Sequence, residues 1–159
     1  MTIRIVCCGK MKEKYLTEAV ADYVKRISRF ATVEIAEVAD EKIPDNASPA
    51  EERMATEKEG ERLLSKIAPQ DRVIAMAIGG KKYTSEAFAK HIAQLQLSGF
   101  SRVCFVIGGS LGLSPAVMQR ADETLSLSDM TFPHRLARIL ILEQTYRAFK
   151  INNNETYHK

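Results

Sequence analysis

Five short apolar, β-branched runs alternate with stretches of helical periodicity, and this alternation restricts the chain to few architectures. Ile3–Cys8, Thr32–Val38, Arg72–Ile78, Arg102–Ile107 and Glu123–Ser126 read as strands. Between the first two, Lys12 to Arg26 reads as a helix, with Leu16, Ala19, Val20, Tyr23 and Ile27 on one face. Ser48-Pro49-Ala50-Glu51 combines a capping box with proline at the first helical position. It opens a heavily charged helix that runs to about Ile67. Ser85 to Leu97 is a third helix, Ser114-Pro115 starts a short fourth ending near Arg120, and His134 to about Ile151 is the last. Asp40–Ala47, with Pro44, and Asp129–Pro133 read as loops. Parallel strands need long crossovers, and helices between strands supply them. The expected fold is therefore a three-layer α/β domain with a mainly parallel sheet, spanning residues 1–159.

The composition agrees with a globular chain: 45% of the 159 residues are apolar and 27% charged, which argues against a disordered or fibrous class. No apolar run approaches the roughly 20 residues that span a bilayer. Met1–Gly9 reads as a first strand rather than a signal peptide, so a cytoplasmic location is expected. Cys7, Cys8 and Cys104 lie in strand-like runs with no C-x-x-C pair and read as buried thiols. His91, His134 and His158 are scattered, and no metal site is expected. The net charge is +3, and residues 134–159 carry all of the surplus. A solvated helix face accounts for so small an excess better than a nucleic-acid partner does.

The last helix departs from a single stripe. Leu136, Ala137, Ile139, Leu140, Ile141, Leu142, Tyr146, Ala148 and Phe149 spread apolar surface around much of its circumference. A helix on one side of a sheet needs one stripe only. The surplus points to a homodimer, with a helix wedged into its own core as the alternative.

The stretch Val106-Ile-Gly-Gly-Ser-Leu-Gly112 carries three glycines in five residues after the fourth strand. It lacks the Gly-Lys-Ser/Thr ending of a P-loop, since Leu113 follows Gly112. A Rossmann site places its glycines after the first strand, and that turn holds Gly9 alone. Without that turn, Glu37 or Asp40 at the end of strand two reads as a solvated acid. Ser110 is not in a G-x-S-x-G elbow. The surviving binding reading is a neutral or cationic ligand held by backbone. Ile78-Gly79-Gly80, Ile107–Gly112 and Leu127–Phe132 all leave the carboxyl edge of the sheet, where open α/β sheets bind ligands. An adenine suits such a site. Glycines that merely end strands account for the same pattern equally well.

Larger blocks break this tie. "FVIGGSLGL", "LSLSDMTFPHRLARILILEQTYRAFKI", the terminal "YHK" and the opening Cys8-Gly9-Lys10-Met11-Lys12-Glu13 closely resemble the bacterial ribosomal RNA large subunit methyltransferase H family. The resemblance covers the whole chain. It implies an α/β-knot (SPOUT) fold with a C-terminal trefoil knot, although threading of this kind runs against general topological rules. It also implies a homodimer that transfers a methyl group from S-adenosylmethionine to N3 of a pseudouridine in 23S ribosomal RNA, on the assembled ribosome. Carried over by position, the cofactor would contact Met76, Gly108, Leu127, Ser128, Asp129, Met130, Thr131 and Phe132, with Gly109 and Gly112 shaping the same pocket. His158 would contact the base or take its proton, and Tyr157 would order the tail or stack on RNA. Arg135, Arg138, Arg147 and Lys159 would meet phosphates, and His134 would be a structural helix-start residue. A ribosome-binding factor without catalysis and a nucleotide-dependent oxidoreductase are the competing classes.

Overall fold

The computed structural model describes residues 1–159. Each predicted strand and helix forms, as β1 (Thr2–Cys8), α1 (Lys14–Ile27), β2 (Thr32–Val38), α2 (Pro49–Leu64), β3 (Arg72–Lys81), α3 (Ser85–Leu97), β4 (Arg102–Ile107), α4 (Pro115–Arg120), β5 (Glu123–Leu125) and α5 (His134–Asn152). The strands make one sheet in the order β2-β1-β4-β3-β5, and every pairing is parallel. All the strand carboxyl ends consequently share one edge.

Strand alternation divides the core. Ile3, Ile5, Cys7, Ile74 and Phe105 pack with α1, α3 and α5 on one face. Val6, Cys8, Val73, Cys104 and Val106 pack with Leu63 of α2 and Val117 of α4 on the other. Covering both faces buries β1 and β4 almost completely, which is why they read as continuous apolar runs. The helix starts follow their sequence signals. Ser48 Oγ accepts from Glu51 N at 3.2 Å while Glu51 Oε1 accepts from Ser48 N at 3.3 Å. Thr84 and Ser114 cap α3 and α4 by accepting from Ala87 N and Val117 N.

Several boundaries differ from the expectation. The strand expected to stop at Ile78 runs on to Lys81, and Gly79-Gly80 lie within it. Leu125 pairs with both Met76 and Lys81, so the two glycines form a bulge. Gly79 supplies the positive φ of 81°, and a Cβ on Gly80 would stand 2.8 Å from the Leu125 carbonyl carbon. α1 starts at Lys14 instead of Lys12, and α2 stops at Leu64 instead of about Ile67. β5 ends one residue early because Ser126 turns away, its hydroxyl donating to Ser128 O at 2.8 Å.

α5 sits between α1 and α3 and buries Ala137, Ile141, Leu142, Thr145, Tyr146, Ala148 and Phe149 in the core of its own chain. Thr145 satisfies its hydroxyl by donating to Ile141 O at 2.7 Å. The broad apolar circumference, read from sequence as a surface for a second chain, is thus largely consumed within one chain.

The three cysteines are fully enclosed in β1 and β4. Burial pushes the Cys7 thiol up to about 11 and those of Cys8 and Cys104 up to about 12. Native protein at pH 8 should leave all three unreacted with a chromogenic disulfide reagent, and urea-unfolded protein should titrate three thiols. Rapid labelling of any thiol in the native state would contradict this burial.

Candidate functional site

A parallel sheet ends its strands with carbonyls that have no strand partner. Around this edge lie the glycine stretch after β4, the β5–α5 loop and, within β3, the Gly79-Gly80 bulge. After β4 the glycine stretch doubles back on itself, Gly112 N donating to Gly109 O at 3.0 Å. Gly112 has φ +83°, and a Cβ on the buried Gly108 would lie 2.5 Å from Gly112 O. Only glycine permits so close a backbone fold. Met76, in β3, is half-buried against the larger core cluster, and Ile78 beyond it is 80% exposed.

The loop from β5 to α5 is organised by its serines. Ser128 Oγ accepts from Met130 N at 3.0 Å, and Asp129 pairs with Lys82 at 2.7 Å. Thr131 and Phe132 are exposed, and Met130 is 75% exposed. Beside this loop lies a cleft of about 260 Å³ lined by Tyr83, Ser85, Phe88, Leu127, Phe132 and Gln144, among others. Ser85 Oγ donates to Gln144 Oε1 at 2.7 Å across it. Of the cofactor residues chosen from sequence, Leu127 and Phe132 line the cleft; Met76, the three glycines and residues 128–131 do not. Tyr83, Ser85 and Gln144 were missed, because a helix-start signal and an ordinary helical glutamine look the same whether or not they line a cleft.

The terminal residues are pinned. Asn154 adopts φ 54°, and Glu155 pairs with Arg29 at 2.7 Å and Lys150 at 2.8 Å. Tyr157 Oη donates to Glu143 Oε1 at 3.1 Å, under the Arg147 guanidinium at 4.7 Å from its ring. Burial, reinforced by the Glu143 charge, pushes the phenol up to about 12, so it stays neutral. His158 Nδ1 stands 3.2 Å from Arg147 Nη1, and its Nε2 stands 2.7 Å from Glu86 Oε1. Arginine only donates, so Nδ1 accepts and the Nε2 proton points at Glu86. That hydrogen bond holds the exposed Glu86 carboxyl below its usual range. Glu86 follows Ser85, and Arg147 lies one turn beyond Gln144, which sets His158 at one end of the cleft.

Among the expected phosphate-binding arginines, the structure corrects Arg138. It is 3% exposed and donates to Glu37 at 2.8 Å, Cys8 O at 2.5 Å and Gly9 O at 2.7 Å. Its guanidinium closes the open end of β1 and has no surface left for RNA. Arg147 is held by Glu143 at 2.5 Å and by His158, so it orders the tail. Arg135 donates to Lys10 O at 3.4 Å, and Lys159 is exposed. His134, next to Arg135 at the start of α5, is held below its usual range by burial and by the charges of Arg135 and Arg138, and stays neutral. Sequence reasoning also passed over Glu59, which is 5% exposed, bonded at 2.9 Å to Glu41 N and packed against Gly109. Burial raises its carboxyl. In the sequence it is one acid among many on a charged helix.

Comparison with known proteins places this geometry. Residues 1–158 match the family described as "Predicted SPOUT methyltransferase". The chain is 54% identical over 159 residues to a "Ribosomal RNA large subunit methyltransferase H" of Exiguobacterium sp. AT1b, with 100% of both chains covered. It is 55% identical over 159 residues to the protein of that name from Bacillus pumilus and 50% identical to one from Streptococcus thermophilus, again with full coverage of both chains. A crystal structure of a probable methyltransferase from Bordetella pertussis superposes with a TM-score of 0.52 at 16% identity, covering 92% of each chain, and supports the fold.

The Arg138 tie is directly testable. Arg138→Ala would leave the Cys8 and Gly9 carbonyls and the Glu37 carboxylate without their donor, at a cost of about 3–5 kcal/mol. The urea midpoint should fall accordingly, with little change in the slope of the transition. A midpoint within error of the parent would show that the tie contributes nothing.

Proposed function

The chain belongs to the SPOUT methyltransferase family, and from that premise we propose that it transfers a methyl group from S-adenosylmethionine to large-subunit ribosomal RNA. The observation that carries this reading is full-length identity of 50–55% to several proteins named for that activity. The finer assignment, N3 of a pseudouridine in 23S ribosomal RNA on the assembled ribosome, follows the motif resemblance. The same reading makes residues 1–159 one methyltransferase unit, acting as a cytoplasmic homodimer with no metal. Exposed Ile78, Met130 and Leu136 supply apolar surface for a second copy.

The path of the chain supports a knot. β5 lies at the sheet edge beside β3, yet α5 begins beside Gly9, on the far side of β3 and β4. The chain between them therefore crosses the carboxyl ends of two strands.

The residues suit the cofactor. The doubled-back Gly108–Gly112 loop lets a flat adenosyl group lie against backbone, and Met76 and the Leu127–Phe132 loop offer apolar and amide surface beside it. A volume of about 260 Å³ falls just below the roughly 300–1,000 Å³ of ligand pockets, so the cleft takes part of the ligand and the open edge the rest. When bound, S-adenosylmethionine supplies an electrophilic methyl on a sulfonium. The protein's task is then to position the base and remove the proton from its ring nitrogen. His158 is the base that the tail offers, since its Nδ1 is an acceptor in the observed geometry while Tyr157 stays protonated. With Nδ1 turned from Arg147 to the base, His158 takes the proton, and Glu86 stabilises the resulting imidazolium through Nε2. Tyr157, locked by Glu143 and Arg147, fixes the tail.

The decisive experiment is methyl transfer from labelled S-adenosylmethionine to ribosomes lacking the modification, with mapping of the labelled nucleotide. His158→Ala should keep cofactor affinity within about 2-fold and lower methylation by about 100-fold or more. Equal activity would remove His158 from the mechanism. Gly108→Ala forces the glycine loop open and should weaken S-adenosylmethionine binding about 10-fold or more in calorimetry. Unchanged affinity would show that this loop is not a wall of the pocket.

A further inference from the structure

With Arg138 buried and Arg147 committed to the tail, two of the four expected phosphate contacts are unavailable, and further cations must be sought on the carboxyl edge. The turn between β1 and α1 carries Lys10 and Lys12, and Lys14 opens α1; all three are exposed. We propose that this turn, with Arg135, is a phosphate-binding rim that seats the RNA substrate beside the glycine loop. The proposal rests on the reading above, because it assigns the partner as ribosomal RNA.

The argument begins with how firmly the turn is built. Gly9 N donates to Val38 O at 2.9 Å, and Met11 N donates to Glu37 Oε2 at 3.1 Å. Met11 is buried, which plants the middle of the turn in the protein. Arg138 takes the Cys8 and Gly9 carbonyls, and Arg135 takes Lys10 O at 3.4 Å. The backbone on each side of Met11 is therefore fixed, while the flanking Lys10 and Lys12 side chains lie in solvent. Neither pairs with a carboxylate, whereas Lys14 stands 3.8 Å from Glu18. The acids facing this turn are few. Glu37 is already bonded to Met11 N and Arg138, Asp40 lies beside Gly9, and Glu13 makes no cap bond. Cations preorganised on a fixed backbone bind phosphate with a smaller entropic cost than those on a mobile loop.

Position makes the rim relevant to the reaction. β1 and β4 are neighbours in register, Cys7 opposite Ile107, so this turn and the glycine loop leave adjacent strand ends about 4.8 Å apart. Arg135 belongs to the first turn of α5, directly after the other wall of the proposed pocket. Tyr15, 71% exposed in the first turn of α1, adds a flat face next to the lysines. Exposed aromatics among cations stack on unpaired bases, and lysines track the backbone. A phosphate chain crossing this rim would deliver a base toward the cleft.

The test uses the full-length protein and 23S ribosomal RNA in filter binding over a series of KCl concentrations, with S-adenosylmethionine affinity and thermal unfolding measured in parallel. Lys10→Gln/Lys12→Gln should weaken RNA binding about 10-fold near 0.1 M salt and reduce the salt slope by about 2, one unit per lost phosphate contact. Tyr15→Ala should weaken binding while leaving the slope intact. Cofactor affinity and melting temperature should not move, and Lys66→Gln, placed at the opposite edge of the sheet, should behave as the parent. An unchanged slope and affinity in the double lysine variant would overturn the rim. Binding that depends on the lysines in a parent that methylates no ribosomal RNA would leave the rim standing and remove the proposed function. A parent that does not bind the RNA would overturn both.

Discussion

In a fully parallel sheet every strand ends at the same edge, and its last carbonyls point at nothing. At β1 this deficit is met by one buried side chain. Arg138 bonds Cys8 O, Gly9 O and Glu37 from within α5, about four helical turns before the helix ends. A guanidinium is suited to this task because its planar fork satisfies several acceptors together and never loses its charge. The bond set ties the start of the last helix to the far side of the sheet from β5. Everything at the edge then has its place: the β5–α5 loop must cross β3 and β4, and the Lys10–Lys12 turn is fixed beside the end of β4.

The same helix connects the edge to the tail. Its inner face is core, and its outer residues Glu143, Gln144 and Arg147 form the bed on which Tyr157 and His158 rest. The hydrogen-bond chain from Arg147 through His158 to Glu86 of α3 turns Nδ1 toward a donor and Nε2 toward a carboxylate. A terminal segment of this kind would ordinarily fray. Here Glu155, held by Arg29 just past α1 and by Lys150 of α5, and the Tyr146–Tyr157 ring contact at 4.8 Å hold it down.

Much of the fold was legible because its signals are local. Hydrophobic period, the Ser48 and Ser114 caps and the strict alternation of element types sufficed for ten elements and a parallel sheet. The exceptions have physical reasons. Gly79-Gly80 read as a strand end because glycine does terminate strands, but here the pair accommodates the close approach of β5, a long-range contact. The apolar circumference of α5 could not be apportioned, because sequence shows how much apolar area a helix has and not which neighbours cover it: its own chain covers Ile141, Leu142 and Phe149 and leaves Leu136 exposed. Arg138 and Arg147 read alike as free cations, since a guanidinium looks the same in sequence whether it faces solvent or a row of strand-end carbonyls.

The site divides along the same line. The sequence by itself determined the chemistry available: a glycine loop after the fourth strand, a histidine near the end, and surplus lysine and arginine, each set by covalent identity and local spacing. Tertiary structure alone decided which groups are free to use it. It buried Arg138, freed Lys10 and Lys12, and placed Glu86 against His158 across 72 residues of chain. Partnering between distant residues depends on how the strands are ordered in the sheet, and local sequence carries no record of that order.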